Sequence, residues 1–265
     1  MKYLAIGPGA MGFFAFMGAL YALQEHKSLE NLQEISGSSA GSLIGFFYLI
    51  SKKDITKAFD FCVKAPIKQV MKPNIKTFFR EYGAVPVSKA RKILSQACLE
   101  FTNKNEITFQ ELYELVPIKF HVSAFCVDLK RTDYFNVDQT PNMSVLDAVC
   151  MSIAVPFLFS VSKFNGWHYV DGGSCEALPC APFLGYPRED ILAIELEFSN
   201  KKKDIKDIKA YGLEVMYTVL HMRSRYDVPI LSVNMGDTDM FDFGLSIEGK
   251  IHMFMIGQGV SGKIF

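Results

Sequence analysis

The sequence predicts an α/β protein, one domain over residues 1–265 on a mainly parallel central sheet with helices on both faces. Segments that read as strands alternate with segments of helical periodicity along the chain, the pattern that parallel sheets and their crossovers produce. Length and composition agree: at 265 residues, 49% hydrophobic and 21% charged, the chain can bury one large core and lacks the composition of a disordered protein. No internal repeat, low-complexity linker or domain boundary interrupts the pattern.

In chain order, the first strand is expected at 2–6. It is followed by Gly7-Pro8-Gly9-Ala10-Met11-Gly12 and an apolar helix over 12–23. Pro8-Gly9 suits a type II turn with Gly9 at positive φ, and the glycine spacing is neither that of a dinucleotide fingerprint nor that of a P-loop. Residues 32–35 read as the second strand and 42–50 as the apolar part of a helix. Over 54–65 and 86–103, apolar residues recur at helical spacing with lysine and arginine between them, which predicts two amphipathic surface helices with solvated charged faces. Residues 74–83 read as an irregular link, and 109–115 as a short helix ending before Pro117.

Residues 118–128 read as a nearly continuous apolar strand with 133–137 as its partner. A helix is expected over 142–156, stopped by Pro156. Residues 157–162 and 167–170 are short strand candidates, the second running into Asp171-Gly172-Gly173. A strong strand over 191–198, a lysine-rich turn, a long helix to about Arg225, a last strand at 230–234 and a last helix at 246–257 complete the chain.

Several function classes are disfavoured. Basic and acidic residues number 28 each, giving net charge zero and no basic footprint for nucleic acid. The six cysteines form no C-x-x-C pair and mostly sit in apolar segments, which points to a reducing compartment. A first strand at Tyr3 leaves no room before it for a signal peptide, and no run of about 18 apolar residues marks a membrane span. The expected location is cytoplasmic or peripheral to a membrane.

The chemistry centres on Gly37-Ser38-Ser39-Ala40-Gly41, which fits G-x-S-x-G between a strand and a helix. In that context the middle serine sits on a sharp turn with its hydroxyl projecting into the open, and the following helix points its amino end at it. Gly37 and Gly41 permit the tight packing such a turn demands. Ser39 is therefore the candidate nucleophile, the plainer alternative being small polar residues at a helix N-cap. A nucleophilic serine needs a base. Asp171 ends a short strand and is followed by Gly172 and Gly173, which keep the space around its carboxylate open. An ordinary Asp-Gly turn is the alternative there.

These three elements, in this order, resemble the patatin-like phospholipase family, whose pattern is a glycine-rich oxyanion loop after the first strand, a G-x-S-x-G elbow after the second, and a late Asp-Gly-Gly or Asp-Gly-Ala. Ser152-Ile153-Ala154-Val155-Pro156 is also similar to the family's approach to its aspartate. The resemblance covers residues 3–198. It implies a lipid acyl hydrolase acting on phospholipids or related acyl-ester lipids, with a Ser39–Asp171 dyad, no histidine, and no metal or organic cofactor. It further implies an oxyanion site in the Gly7–Gly12 loop, formed by the N–H groups of Gly9 and Ala10 together with that of Ala40, and peripheral contact with membranes.

Two residues depart from the family. Pro8 stands where it usually has glycine, and Met11 where it usually has lysine or arginine, which raises the alternative of a lipid-binding module with weak turnover. The other alternative is a Ser-His-Asp esterase, for which His221 and His252 come late enough in the chain. His26, His121 and His168 show no metal-ligand spacing.

Overall fold

The computed structural model describes residues 1–174, 176–199, 211 and 226–260. Its sheet is organised around β1 (Tyr3–Ile6), a strand buried along its whole length. Leu4 and Ile6 enter the main hydrophobic core on one face, while Tyr3 and Ala5 enter a second cluster with Leu178, Phe183 and Ile191 on the other. Burial on both faces explains why the sequence here is a continuous apolar run.

β1 pairs in parallel with β2 (Glu34–Ser38) on one side and with β9 (Ile191–Phe198) on the other. β10 (Ile230–Gly236) extends the parallel sheet beyond β9, and β4 (Lys119–Cys126) extends it beyond β2. From β4 onward the pairing turns antiparallel, to β5 (Arg131–Phe135) on one edge and to β8 (Trp167–Asp171) on the other, with β7 (Ser162–Phe164) beyond β8. The crossovers β1–α1–β2 and β2–α2 run through α1 (Phe13–Glu25) and α2 (Ala40–Ile50), both almost wholly buried in the main core. The second face is covered, among the described residues, by 177–191 with 3₁₀ turns at Ala181–Phe183 and Arg188–Asp190. The long helix expected up to Arg225 lies outside the described residues, as does Cys175.

Several boundaries differ from the sequence expectation. β2 starts two residues later and runs through Gly37 and Ser38, because pairing with both β1 and β4 outweighs the turn preference of those residues. The expected link at 74–83 contains α5 (Ile75–Glu81) and leads to β3 (Gly83–Val85), after a short α4 (Ile67–Val70). The strand expected at 157–162 is two strands in two sheets: β6 (Phe157–Phe159) pairs with β3, and β7 pairs with β8. The helix expected over 142–156 is the shorter α8 (Val145–Ser152), since Pro156 disfavours helical backbone at Val155. The two charged helices appear as α3 (Ile55–Lys64) and α6 (Val87–Thr102), and α7 (Phe109–Leu115) carries a capping box between Thr108 and Glu111.

The last described helix, α9 (Ile247–Gln258), lies across α1 with backbone in contact with backbone. A Cβ on Gly18 would fall 1.9 Å from the Phe254 carbonyl oxygen, and one on Gly257 would fall 1.8 Å from that of Ala15. Neither contact can be relieved by a side-chain rotation. Gly18→Ala is expected to lower the unfolding free energy by about 1–3 kcal/mol through forced separation of the helices. A urea titration checks this; unchanged stability would mean that the crossing yields easily.

Candidate active site

Ser39 stands between the end of β2 and the start of α2 with φ 52° and ψ −118°, outside the regions that serine ordinarily occupies. Such backbone costs on the order of 1–3 kcal/mol and persists only where its surroundings enforce it. The enforcement is visible. A Cβ on Gly37 would lie 2.6 Å from the Gly41 carbonyl oxygen, and one on Gly41 would lie 2.0 Å from that of Ile6, so the first turn of α2 is pressed directly onto β1 and β2. From α8, the Ser152 hydroxyl oxygen accepts the Ser39 N–H at 2.9 Å.

The neighbouring serines are placed differently. The Ser42 hydroxyl donates to the Ser39 carbonyl at 2.7 Å. The Ser38 hydroxyl is buried without a hydrogen-bond partner among the described residues. Ser39 alone of the three lies on the wall of an apolar cavity of about 140 Å³.

Asp171 is the last residue of β8, and register brings it to the elbow. β2 pairs with β4 as far as Ser38 opposite Ser123; the next β4 residue, Ala124, is opposite Asp171. β5 occupies the other edge of β4, so β8 takes up the same edge where β2 leaves it. Ser39 and Asp171 thus follow one another along a single strand edge. The Asp171 carboxylate is buried at 5% exposure, and its Oδ1 accepts the Gly173 N–H at 2.7 Å while its backbone N–H donates to the Ala154 carbonyl. Gly172 lies against the Ser123 backbone and Gly173 against Pro8, which stacks the first loop onto the aspartate turn.

In that loop the Gly7 N–H donates to the Ile194 carbonyl, the Gly12 N–H to Gly9, and the Met11 N–H to Met240. Among the described residues no hydrogen bond engages the N–H of Gly9 or Ala10. Ala40 is the first residue of α2, where the N–H has no acceptor within its own helix. The expected type II turn is absent: Gly9 has φ −174°, and the positive φ of 44° falls on Ala10, next to the cavity.

The cavity is lined by Ala10 and Met11 of the loop, Leu43 and Phe47 of α2, and Phe241 and Phe243 of the segment after β10. α3 contributes Cys62, and α6 contributes Ile93 and Leu94, so the two predicted surface helices turn their apolar sides to this space. Half-buried Ile67, Val70, Met71 and Leu158 form its outer part. Among the described residues Ser39 is its sole hydroxyl-bearing wall residue. Burial pushes the Cys62 thiol well above its usual range. Met11, with 2% exposure, is part of the apolar wall where a lysine or arginine would place a charge.

Of the histidines, none that is described lies on the cavity wall. His121 donates from Nε2 to Glu34 at 2.7 Å at the opposite end of β2, His168 pairs with Asp128, and His26 and His252 are exposed. His221 lies outside the described residues. Sequence reasoning missed the contributions of Met240, Phe241 and Phe243, and of α3 and α6. For Ser152 a signal existed, in the Ser152-to-Pro156 stretch.

A sequence model of the family described as patatin-like phospholipase matches residues 4–184. The chain belongs to that family. It is 25% identical over 217 residues to a probable lipid hydrolase, 463L, of Invertebrate iridescent virus 6, covering 77% of this chain and 73% of that one. It is 28% identical over 187 residues to the uncharacterized protein R571 of Acanthamoeba polyphaga mimivirus, covering 69% and 61% respectively. Among solved structures, VipD from Legionella pneumophila superposes with TM-score 0.74 at 15% identity, over 99% of this chain and 66% of VipD, which shows a shared fold. This chain therefore spans less than two thirds of the mimivirus protein and about two thirds of VipD.

Two serine substitutions separate the scaffold from its neighbours. Ser152→Ala leaves the buried Ser39 N–H without an acceptor and is expected to lower stability by about 1–3 kcal/mol, whereas Ser38→Ala removes an unpaired buried hydroxyl and is expected to be neutral or stabilising. Denaturant melts of both proteins check this; equal effects would remove the special role given to Ser152.

Proposed function

We propose that this protein hydrolyses fatty-acyl esters of phospholipids or related lipids through a Ser39–Asp171 dyad and a covalent acyl-enzyme. The observation that carries the reading is that a conformationally strained serine is, among the described residues, the one hydroxyl-bearing residue on the wall of an otherwise apolar cavity. A hydrocarbon chain is the ligand such a wall accepts, and the position of Ser39 on it supports attack by this residue on an acyl carbonyl at the end of that chain.

In the proposed sequence, the Ser39 Oγ attacks the ester carbonyl carbon while its proton passes to the Asp171 carboxylate. The tetrahedral oxyanion is held by the N–H groups of Gly9, Ala10 and Ala40, while Gly7 and Gly12 shape the loop. Collapse breaks the ester bond. Asp171 returns the proton to the departing alcohol and leaves the acyl group on Ser39. Water, deprotonated by Asp171, then attacks the acyl-enzyme; fatty acid leaves and Ser39 recovers its proton. Gly37 and Gly41 hold the elbow, and Gly172 and Gly173 the aspartate turn. The reading requires no metal or organic cofactor.

Ser39→Ala and Asp171→Asn are each expected to reduce hydrolysis of a short-chain ester by about a thousandfold or more while the protein stays folded, since nucleophile and base act as a unit. His252→Ala is expected to retain activity. Turnover assays on the three proteins decide it: an active Asp171→Asn protein would sink the dyad.

Met11 tests the loop. Met11→Lys introduces an unpaired charge into an apolar wall, at a cost of several kcal/mol if it stays ionised. The variant is expected to melt at lower temperature and to gain no turnover. Higher turnover at unchanged melting temperature would show that the lysine reaches the oxyanion.

A further inference from the structure

α5 is built the wrong way round for a helix that serves the core. Thr77 is its one buried residue, while Ile75 and Phe79, four residues apart and so on one side of the helix, are each 75% exposed. Phe78 at 40% and Tyr82 at 64%, also four apart, extend the apolar surface. Phe157 of β6, paired with Gly83 of β3 just beyond the helix, adds a side chain 68% exposed. Burial elsewhere in the protein explains none of these five residues. Contiguous apolar surface of this kind marks an interaction site.

Charge sets this region apart as well. Residues 64–92 hold eight lysines and arginines against the single acid Glu81, a net charge of +7 in a chain whose total is zero. Arg91 is committed to Glu106 and Asp147. Among the described residues, no carboxylate pairs with Lys68, Lys72, Lys76 or Arg80. Lys76 and Arg80 flank Ile75 and Phe79 on α5, and Lys68 stands on α4 between the cavity residues Ile67 and Val70. Leu158 and Phe159, which follow Phe157, also line the cavity. The basic, aromatic surface is therefore continuous with the outer part of the space that ends at Ser39.

We infer that α4, α5 and the Phe157 turn form a docking surface for an anionic phospholipid bilayer, with Ile75, Phe79 and Phe157 entering the acyl-chain boundary while Lys68, Lys72, Lys76 and Arg80 meet the headgroups. Apolar burial and attraction of lysine and arginine to an anionic surface act together in such sites. A protein partner would account for the apolar residues; the unpaired positive charge around them favours lipid. Docking here aims the cavity at the membrane, so an acyl chain can pass from bilayer to Ser39 without crossing water. This inference rests on the reading of Ser39 as the nucleophile of a lipid acyl hydrolase.

The test separates docking from chemistry. Binding is measured by vesicle flotation with the full chain carrying Ser39→Ala, so that no lipid is consumed, on phosphatidylcholine vesicles with and without phosphatidylglycerol. Chemistry is measured with Ser39 intact on a soluble short-chain ester. The expected result is strong partition only where phosphatidylglycerol is present. Lys76→Gln with Arg80→Gln should weaken partition about 25-fold, from about fivefold per charge. Ile75→Ser with Phe79→Ser should weaken it by about tenfold or more. Both pairs should leave soluble-ester turnover and melting temperature unchanged, since these side chains are exposed and off the cavity wall. Partition indifferent to phosphatidylglycerol, or unaltered by both pairs, overturns the inference. So does self-association that the same substitutions abolish in a protein that ignores vesicles, which would assign the surface to a second copy of the chain. Anionic binding by a protein that hydrolyses no ester would leave the docking surface standing and remove the catalytic reading instead.

Discussion

Everything at the site depends on the close contact of α2 with the ends of β1 and β2. With backbone atoms of Gly37, Gly41 and Ile6 packed where any side chain would collide, the chain can leave the sheet only by one sharp reversal, and the residue at its apex must take a strained conformation. That residue is Ser39. The strain has a consequence for chemistry, since it orients the side chain by backbone geometry instead of by side-chain contacts. The helix that begins at Ala40 adds its free N–H groups to the same point.

A second constraint is the exchange of partners along β4. Because β2 ends at Ser38 and β8 takes over the same edge at Asp171, an aspartate more than a hundred residues away in sequence is delivered next to the serine by ladder register alone. A one-residue slip of β8 would turn its side chains to the other face of the sheet. Anchoring of the Asp171 backbone N–H on Ala154, and of its carboxylate on the Gly173 N–H, opposes such a slip. The stretch before Asp171 therefore serves both the serine elbow and the aspartate turn, since Ser152 holds the elbow and Ala154 holds the aspartate strand.

The legible parts of the site were those fixed by local chemistry. G-x-S-x-G and Asp-Gly-Gly announce tight turns wherever they stand, and the strand at Ile191–Phe198 announces itself by β-rich apolar content without outside help. What the sequence hid was partnership. The periodicity of α3 and α6 declared an apolar face but not that the face lines the cavity beside Ser39, and nothing near Met240 signalled that its carbonyl receives the Met11 N–H. α5 was missed for another reason: Ile75, Phe78, Phe79 and Tyr82 do recur at helical spacing, but over only seven helical residues between Pro73-Asn74 and Gly83, which read as a link. At Gly9 a sound turn rule failed because the Ala10–Gly12 3₁₀ turn moved the positive φ one residue along.

The central claim is that the elbow makes Ser39 an activated nucleophile and that Asp171 supplies the activation. Its most direct measurement is labelling with a fluorophosphonate, with the adduct mapped by peptide mass spectrometry. The account predicts stoichiometric modification of Ser39, none of Ser38 or Ser42, and near-complete loss of labelling in a folded Asp171→Asn protein. Modification of another serine, or undiminished labelling of Ser39 without the aspartate, would contradict it.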